Sequence, residues 1–205
     1  MLKARAALGP LVFAACVLPL ARLVALGWAD RLGANPVEFV TRSTGTWTLV
    51  MLCATLTVTP LRRLTGWNQL ARLRRMIGLF AFFYGCLHLL TYVWLDQWFD
   101  VGQIVRDVVK RPFVTVGMAA FALMLPLAAT SNDAAIRRLG RRWASLHRSV
   151  YAIAVLAVLH YWWHKAGKND LAEPMVYASV VALLLGWRVW WRWRAGYPGR
   201  RRSSA

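Results

Sequence analysis

Apolar residues fall along this chain in long runs, not in the short alternating blocks of a soluble domain. Six runs approach the roughly 20 apolar residues that a helix needs to cross a bilayer. They are Leu8–Trp28, Thr46–Leu61, Met76–Leu95, Phe113–Ala129, Trp143–Trp163 and Met175–Trp191, the second being short and rich in Thr. No small-residue cleavage site follows the first, so it reads as a retained helix and not a removed signal peptide. The segments between the runs are short and leave no room for a soluble catalytic domain. The pattern predicts an all-α integral membrane protein: a six-helix transmembrane bundle forming one domain over residues 1–205. Two connecting segments carry helix signals of their own. Asn35-Pro36 followed by Glu38 reads as an N-cap, a proline at the first helical position and an acidic first turn, so a short helix is expected after Pro36. Asp100-x-x-Gln103 resembles a capping box, and Ile104, Val105, Val108 and Val109 behind it make one apolar stripe. The stripe suits either simple loop packing or docking of a partner outside the membrane.

Composition agrees. The chain is 59% apolar and 17% charged, against about 45–50% and about 25% in soluble domains. That much apolar surface excludes a disordered chain, and three Cys without paired spacing exclude a disulfide scaffold. The net charge of +18 comes from 26 Lys+Arg against 8 Asp+Glu. Such a charge points to nucleic acid when it clusters on a soluble surface. Here the basic residues sit between apolar runs, so they record topology and no nucleic-acid partner is expected. Lys3, Arg5, Arg62, Arg63, Arg72, Arg74, Arg75, Arg137, Arg138, Arg141, Arg142, Arg148, Arg188, Arg192, Arg194, Arg200, Arg201 and Arg202 fall on one side, 18 in all. Arg31, Arg42, Arg106, Lys110, Arg111, Lys165 and Lys168 fall on the other, 7 in all. Positive loops stay in the cytoplasm, so both termini are expected there. Trp94, Trp98, Trp162 and Trp163 then mark the outer interface, and Trp143, Trp187, Trp190, Trp191 and Trp193 the inner one.

The candidate chemistry lies in the four histidines, His88, His147, His160 and His164, all in or at the edge of a span. Ionisable groups in a membrane are costly and point to function. Flanking charges and the helical rise give their depths. His88 lies about 4 Å outward of the midplane, His160 about 9–10 Å outward and His147 about 10 Å inward. Helix tilt absorbs the difference between His88 and His160, but not easily that between His88 and His147. His147 and His160 also point about 140° apart around one helix. Two imidazoles on facing helices are the usual way to hold a b-type haem in a bundle. His88 with His160 is the preferred pair. His147 stays open between a second-haem ligand, a quinone or flavin contact and an interfacial residue. His164 reads as an exposed interfacial residue, with swapped ligation as its alternative.

Arg22 lies inside the first span, about 6 Å outward of its centre. It either snorkels to the interface or pairs with a haem propionate. Cys16, Cys53 and Cys86 lie in different spans and read as small packing residues. No Asp or Glu joins the histidines within the spans, so no metal other than haem iron is expected.

The stretches GANPVEFVTRSTGTW (33–47), TPLRRLTG (59–66), LRRMIGLFAFFYGCLHLLTYVWLDQ (73–97), KRPFVTVGMAAFALMLPLAATS (110–131) and RRLGRRWASLHRSVYAIAVLAVLHYWW (137–163) carry a resemblance. The chain resembles the haem-binding membrane subunit of the bacterial periplasmic methionine-sulfoxide reductase system, in the ferric-reductase-like transmembrane superfamily shared with NADPH oxidases. The resemblance implies a multi-pass protein of the bacterial inner membrane. It implies that electrons pass from the respiratory quinone pool through b haem, with FMN as a further cofactor, to a periplasmic molybdopterin subunit that reduces methionine sulfoxide in oxidised proteins. The family's haem histidines fall on His88, His147 and His160. FMN rests on the resemblance alone, since no flavin motif is visible. Ferric reductases and NADPH oxidases carry a cytosolic FAD and NADPH domain after their spans. This chain ends soon after the sixth run, so no such domain is expected. The rivals are direct reduction of extracytoplasmic ferric chelates and a non-redox membrane anchor or assembly factor.

Overall fold

Prolines and capping side chains set the starts of four helices. The structure is a computed structural model and describes residues 2–167 and 169–196; Lys168 and Arg200–Arg202 lie outside the described residues, as do the side chains of Lys3 and Arg5. Helix α1 is Leu2–Trp28 and α2 is Pro36–Thr65. Helix α3, Leu70–Leu90, continues into a wider π-helical turn over Thr91–Asp96. Then come α4 (Val101–Lys110), α5 (Pro112–Ala129), α6 (Asp133–Leu139) and α7 (Arg141–Leu146). A tight 3-10 turn over His147–Ser149 leads into α8 (Val150–Ala166), and α9 is Ala172–Gly196.

Five of these are long and apolar enough to cross a membrane: residues Leu8–Trp28 of α1, α2, α3 with its π turn, α5 and Ala172–Arg194 of α9. The sixth expected span is interrupted. The Ser149 hydroxyl donates to the Leu146 carbonyl at 2.8 Å, a local bond that competes with the α-helical one and tightens the turn. Only the 17 residues of α8 continue as α-helix. The whole segment still runs antiparallel along α5. His147 bonds Thr130 just past the end of α5, and His160 bonds Phe113 at its start.

Helix α2 begins where the capping pattern places it: Asn35 Oδ1 accepts the Glu38 N–H at 3.1 Å. The expected short helix is not separate, because no proline lies between Pro36 and the second run and Gly45 does not leave the helical conformation. The two fuse into one helix of 30 residues, ended by Gly66 in the left-handed conformation (φ 71). Thr44, Thr48, Thr55 and Thr57 return their hydroxyls to carbonyls one turn back, at 2.8–2.9 Å. A Thr-rich helix can therefore lie in an apolar interior, with its polar groups internally satisfied. At α4, Asp100 Oδ1 accepts the Gln103 N–H at 2.9 Å. The apolar stripe behind it divides. Ile104 and Val108 are half-buried, while Val101, Val105 and Val109 face outward with Trp98 and Phe99.

Two helices contain a proline whose effect on the hydrogen-bond ladder is repaired from another helix. Near Pro19 in α1, the Tyr84 hydroxyl of α3 inserts into the ladder. It donates to the Cys16 carbonyl at 2.8 Å and accepts the Leu20 N–H at 3.2 Å. In α2, Pro60 has no N–H, so the Leu56 carbonyl lacks its donor one turn on. Arg188 of α9 supplies one: its Nη2 donates to the Leu56 carbonyl and its Nη1 to Leu184 O at 2.7 Å. Arg188 is therefore not part of an exposed basic tail. It is buried, with Tyr151 beneath its guanidinium. Restoring a donor should matter most where Arg188 is missing. Pro60→Ala is expected to be more favourable, by about 1–3 kcal/mol, in an Arg188→Leu background than in the wild type. Thermal unfolding of the four proteins in detergent checks this, and additive effects would refute the repair.

Lys165 departs from its expected place among the outer loop charges. It is 2% exposed, bonded to Asp170 and 3.9 Å from Glu173, which also accepts the Tyr161 hydroxyl. The cluster clamps the end of α8 to the start of α9, and the Lys165 ammonium holds the Asp170 carboxyl below the usual carboxylate range. Toward the Arg-rich end, Arg75 and Asp133 pair at 2.7 Å and tie α3 to α6.

Candidate functional site

His88 lies in the last turn of α3, immediately before the π turn, a local widening found often at functional sites. His160 lies on α8, two residues past its middle. The structure brings the two together, with ring centroids 6.0 Å apart and planes at 76°. Each ring is held by a backbone carbonyl from the helix packed against its own. His88 Nδ1 is 2.9 Å from Thr41 O on α2, and His160 Nδ1 is 2.7 Å from Phe113 O on α5. A carbonyl only accepts, so Nδ1 carries the proton in both rings. That leaves each Nε2 with a free lone pair, the tautomer of a metal-ligating histidine whose other nitrogen is anchored.

Two glycines make room for the rings. A Cβ on Gly45 would lie 3.0 Å from His88 Nδ1 and Cε1, and one on Gly117 would lie 2.7 Å from His160 Nδ1 and 2.9 Å from Cε1. The Thr41 hydroxyl, beside the anchoring carbonyl, is buried without a hydrogen-bond partner among the described residues.

These features fit an axially ligated haem iron. A metal–imidazole bond is about 2.0–2.1 Å long, so two rings sharing one iron hold their facing nitrogens about 4 Å apart and their centroids further. The observed 6.0 Å accommodates one iron between the rings. Two neutral imidazoles with anchored Nδ1 protons are also the donor set that a bis-histidine haem uses.

His147 is not with them. Its ring stacks on Trp143 at 4.0 Å, and its Nε2 is 3.0 Å from the Thr130 hydroxyl. Phe113 and Thr130 mark opposite ends of α5, about 25 Å apart by helical rise. His164 is near the pair and packs against Phe113 at 5.5 Å. Arg22 lies on the exposed side of α1, whereas Leu20 and Leu23 turn inward to line a groove with Thr44, Leu87 and Thr91. All three cysteines are free, and Cys16 and Cys53 are buried.

Sequence reasoning missed the anchoring carbonyls, the two glycines, Tyr84 and Arg188. The glycines carried a readable signal: each precedes its histidine by the same spacing, Gly45 to His88 and Gly117 to His160. The carbonyls left none, because backbone acceptors are present at every residue.

Residues 41–158 match the family model for the ferric reductase like transmembrane component. A protein-methionine-sulfoxide reductase heme-binding subunit MsrQ from Ralstonia nicotianae is 62% identical over 189 residues, covering 92% of this chain and 87% of that protein. Its counterpart from Bordetella pertussis is 64% identical over 187 residues, 90% of this chain and 91% of the relative. The one from Rhodospirillum rubrum is 53% identical over 191 residues, 92% of this chain and 91% of the relative. No solved structure matches the chain. Over nearly its whole length, then, and with its two facing histidines inside or just beyond the matched stretch, the chain belongs to the MsrQ family of ferric-reductase-like transmembrane proteins.

Proposed function

We propose that this protein is the membrane electron-transfer subunit of a methionine-sulfoxide reductase system, holding b-type haem between His88 and His160. The single observation that carries the reading is the approach of two carbonyl-anchored imidazoles to 6.0 Å. The names of the relatives, heme-binding subunits of protein-methionine-sulfoxide reductase, support it. When bound, haem iron supplies one-electron transfer at a potential set by its axial ligands and surroundings. The chain's own residues present Nε2 from opposite helices, donate each Nδ1–H to Thr41 O or Phe113 O, and keep both rings half-buried between helices. His147 and Arg22 stay outside this pair.

In this reading six segments cross the bacterial inner membrane, with both termini and the Arg-rich loops in the cytoplasm. Respiratory quinol is the electron donor, and a periplasmic molybdopterin-containing methionine sulfoxide reductase is the acceptor. FMN, a second cofactor by resemblance, is tested by extracting the purified protein and measuring flavin fluorescence. A reduced-minus-oxidised spectrum after expression with ample haem tests the haem reading. A low-spin b-type band is expected, and its absence makes the protein a non-redox anchor. Reduction by a quinol analogue, followed by mixing with the molybdopterin subunit or with ferric chelates, tests the route. Rapid reoxidation by the subunit is expected; reoxidation by ferric chelates alone assigns a metalloreductase.

A further inference from the structure

Thr41, Gly45 and His88 correspond to Phe113, Gly117 and His160 at a constant offset of 72 residues. Anchoring carbonyl and histidine are 47 residues apart in both sets. In both, the carbonyl holds Nδ1, and a glycine one turn further along the same helix lies against the ring. Both sets sit on an antiparallel helix pair, α2 with α3 and α5 with α8.

We infer that two copies of one helix-hairpin device present the haem ligands, and that Gly45 and Gly117 are the positioning residues that fix the rotation of each imidazole. The inference rests on the haem reading above. A histidine ring has two torsions, and one hydrogen bond to a carbonyl still leaves it free to pivot about that contact. The bare backbone of the glycine closes the remaining freedom, because the ring can lie against it where a methyl group would stand. Carbonyl and glycine together hold the two planes at 76°. The angle between axial ligand planes governs the splitting of the iron d orbitals, and the Nδ1–H bond governs how strongly the ring donates.

The contacts rank the effects. The nearest ring atoms to an added methyl are 2.7 Å away at Gly117 and 3.0 Å away at Gly45. Neither ring can step aside as the tip of a long side chain does, since its Nδ1 is bonded. Gly78 and Gly85 lie in the same bundle, yet a Cβ there meets nothing nearer than 3.6 and 3.7 Å.

The test uses the full chain loaded with haem in detergent, as wild type, Gly45→Ala, Gly117→Ala, Gly78→Ala and Gly85→Ala. Low-temperature electron paramagnetic resonance reads the largest g value, and a redox titration reads the midpoint potential. Both Gly45→Ala and Gly117→Ala should move the g value while keeping low-spin haem. Both should raise the potential, because a pushed ring loses Nδ1 hydrogen bonding and donates less to ferric iron. Gly117→Ala should move both readouts further, and the two control variants should keep the wild-type values. Should Gly117→Ala fail to accumulate, Gly45→Ala carries the test, since its methyl asks only a few tenths of an ångström of its neighbours. Wild-type g value and potential in the glycine variants would overturn the inference alone. A wild-type protein without low-spin haem would overturn it together with the proposed function.

Discussion

His160→Ala is expected to abolish the low-spin haem spectrum of the purified protein, and His88→Ala to do the same. Each ring offers one Nε2, and the pair stands 6.0 Å apart with both Nδ1 protons committed to carbonyls. Under the proposed ligation, loss of either imidazole would leave one axial ligand, which would not keep the iron low-spin. His147 cannot substitute from where it stands at the far end of α5. His147 is engaged with Trp143 and Thr130 there, about 25 Å of helical rise from the level of Phe113. His147→Ala is therefore expected to retain most of the low-spin band. Visible spectra of the three variants, normalised to protein, decide the matter. Loss of haem in His147→Ala together with its retention in His160→Ala would show that the pairing is wrong.

Tyr84→Ala is expected to destabilise the folded protein by about 3 kcal/mol, the lower end of the range for deleting a core aromatic side chain. The lower end applies because helices separating in a bilayer meet lipid, which is as apolar as the core they leave. What remains is lost packing and the lost hydroxyl. Tyr84 is 1% exposed, and its hydroxyl bridges Cys16 O and Leu20 N beside Pro19. It also lies one turn before His88 on α3, so it fixes α1 against the helix that carries His88. Tyr84→Phe keeps the ring and removes only the bridge, and should cost about 1 kcal/mol. Unfolding monitored by circular dichroism in detergent separates the two. Equal losses from Phe and Ala would place the whole effect in the hydroxyl, and no loss from either would remove Tyr84 from the packing of α1.

The local features of the fold were legible because their causes are local. The caps at Asn35 and Asp100 depend on side chains three residues from the N–H groups that they satisfy, and both were visible in the sequence. So were five apolar runs long enough to cross a membrane. The break at His147–Ser149 was not, because an apolar run shows composition and depth but not which carbonyl a serine will choose. The fusion of the Pro36 helix with the second span was hidden for a related reason: an N-cap says where a helix starts and nothing of where it ends. Charge misled at two positions. Arg188 and Lys165 count as loop charges by type, yet both are buried, and their partners lie on other elements or across a turn.

The sequence alone determined the membrane class of the chain, the helical periodicity of its spans and the expected depth of its histidines. Each follows from quantities additive along a strand of residues: hydrophobicity, charge and a rise of about 1.5 Å per residue. The expected depths of His88 and His160 differ by no more than tilt absorbs, but their azimuth stayed open. Only the tertiary structure decided that the two rings come together, which carbonyls accept from Nδ1–H, which glycines admit the rings and which side chains mend the proline breaks. Those are contacts between helices, and helix–helix contacts depend on rotation and crossing angle, which no count along the chain contains.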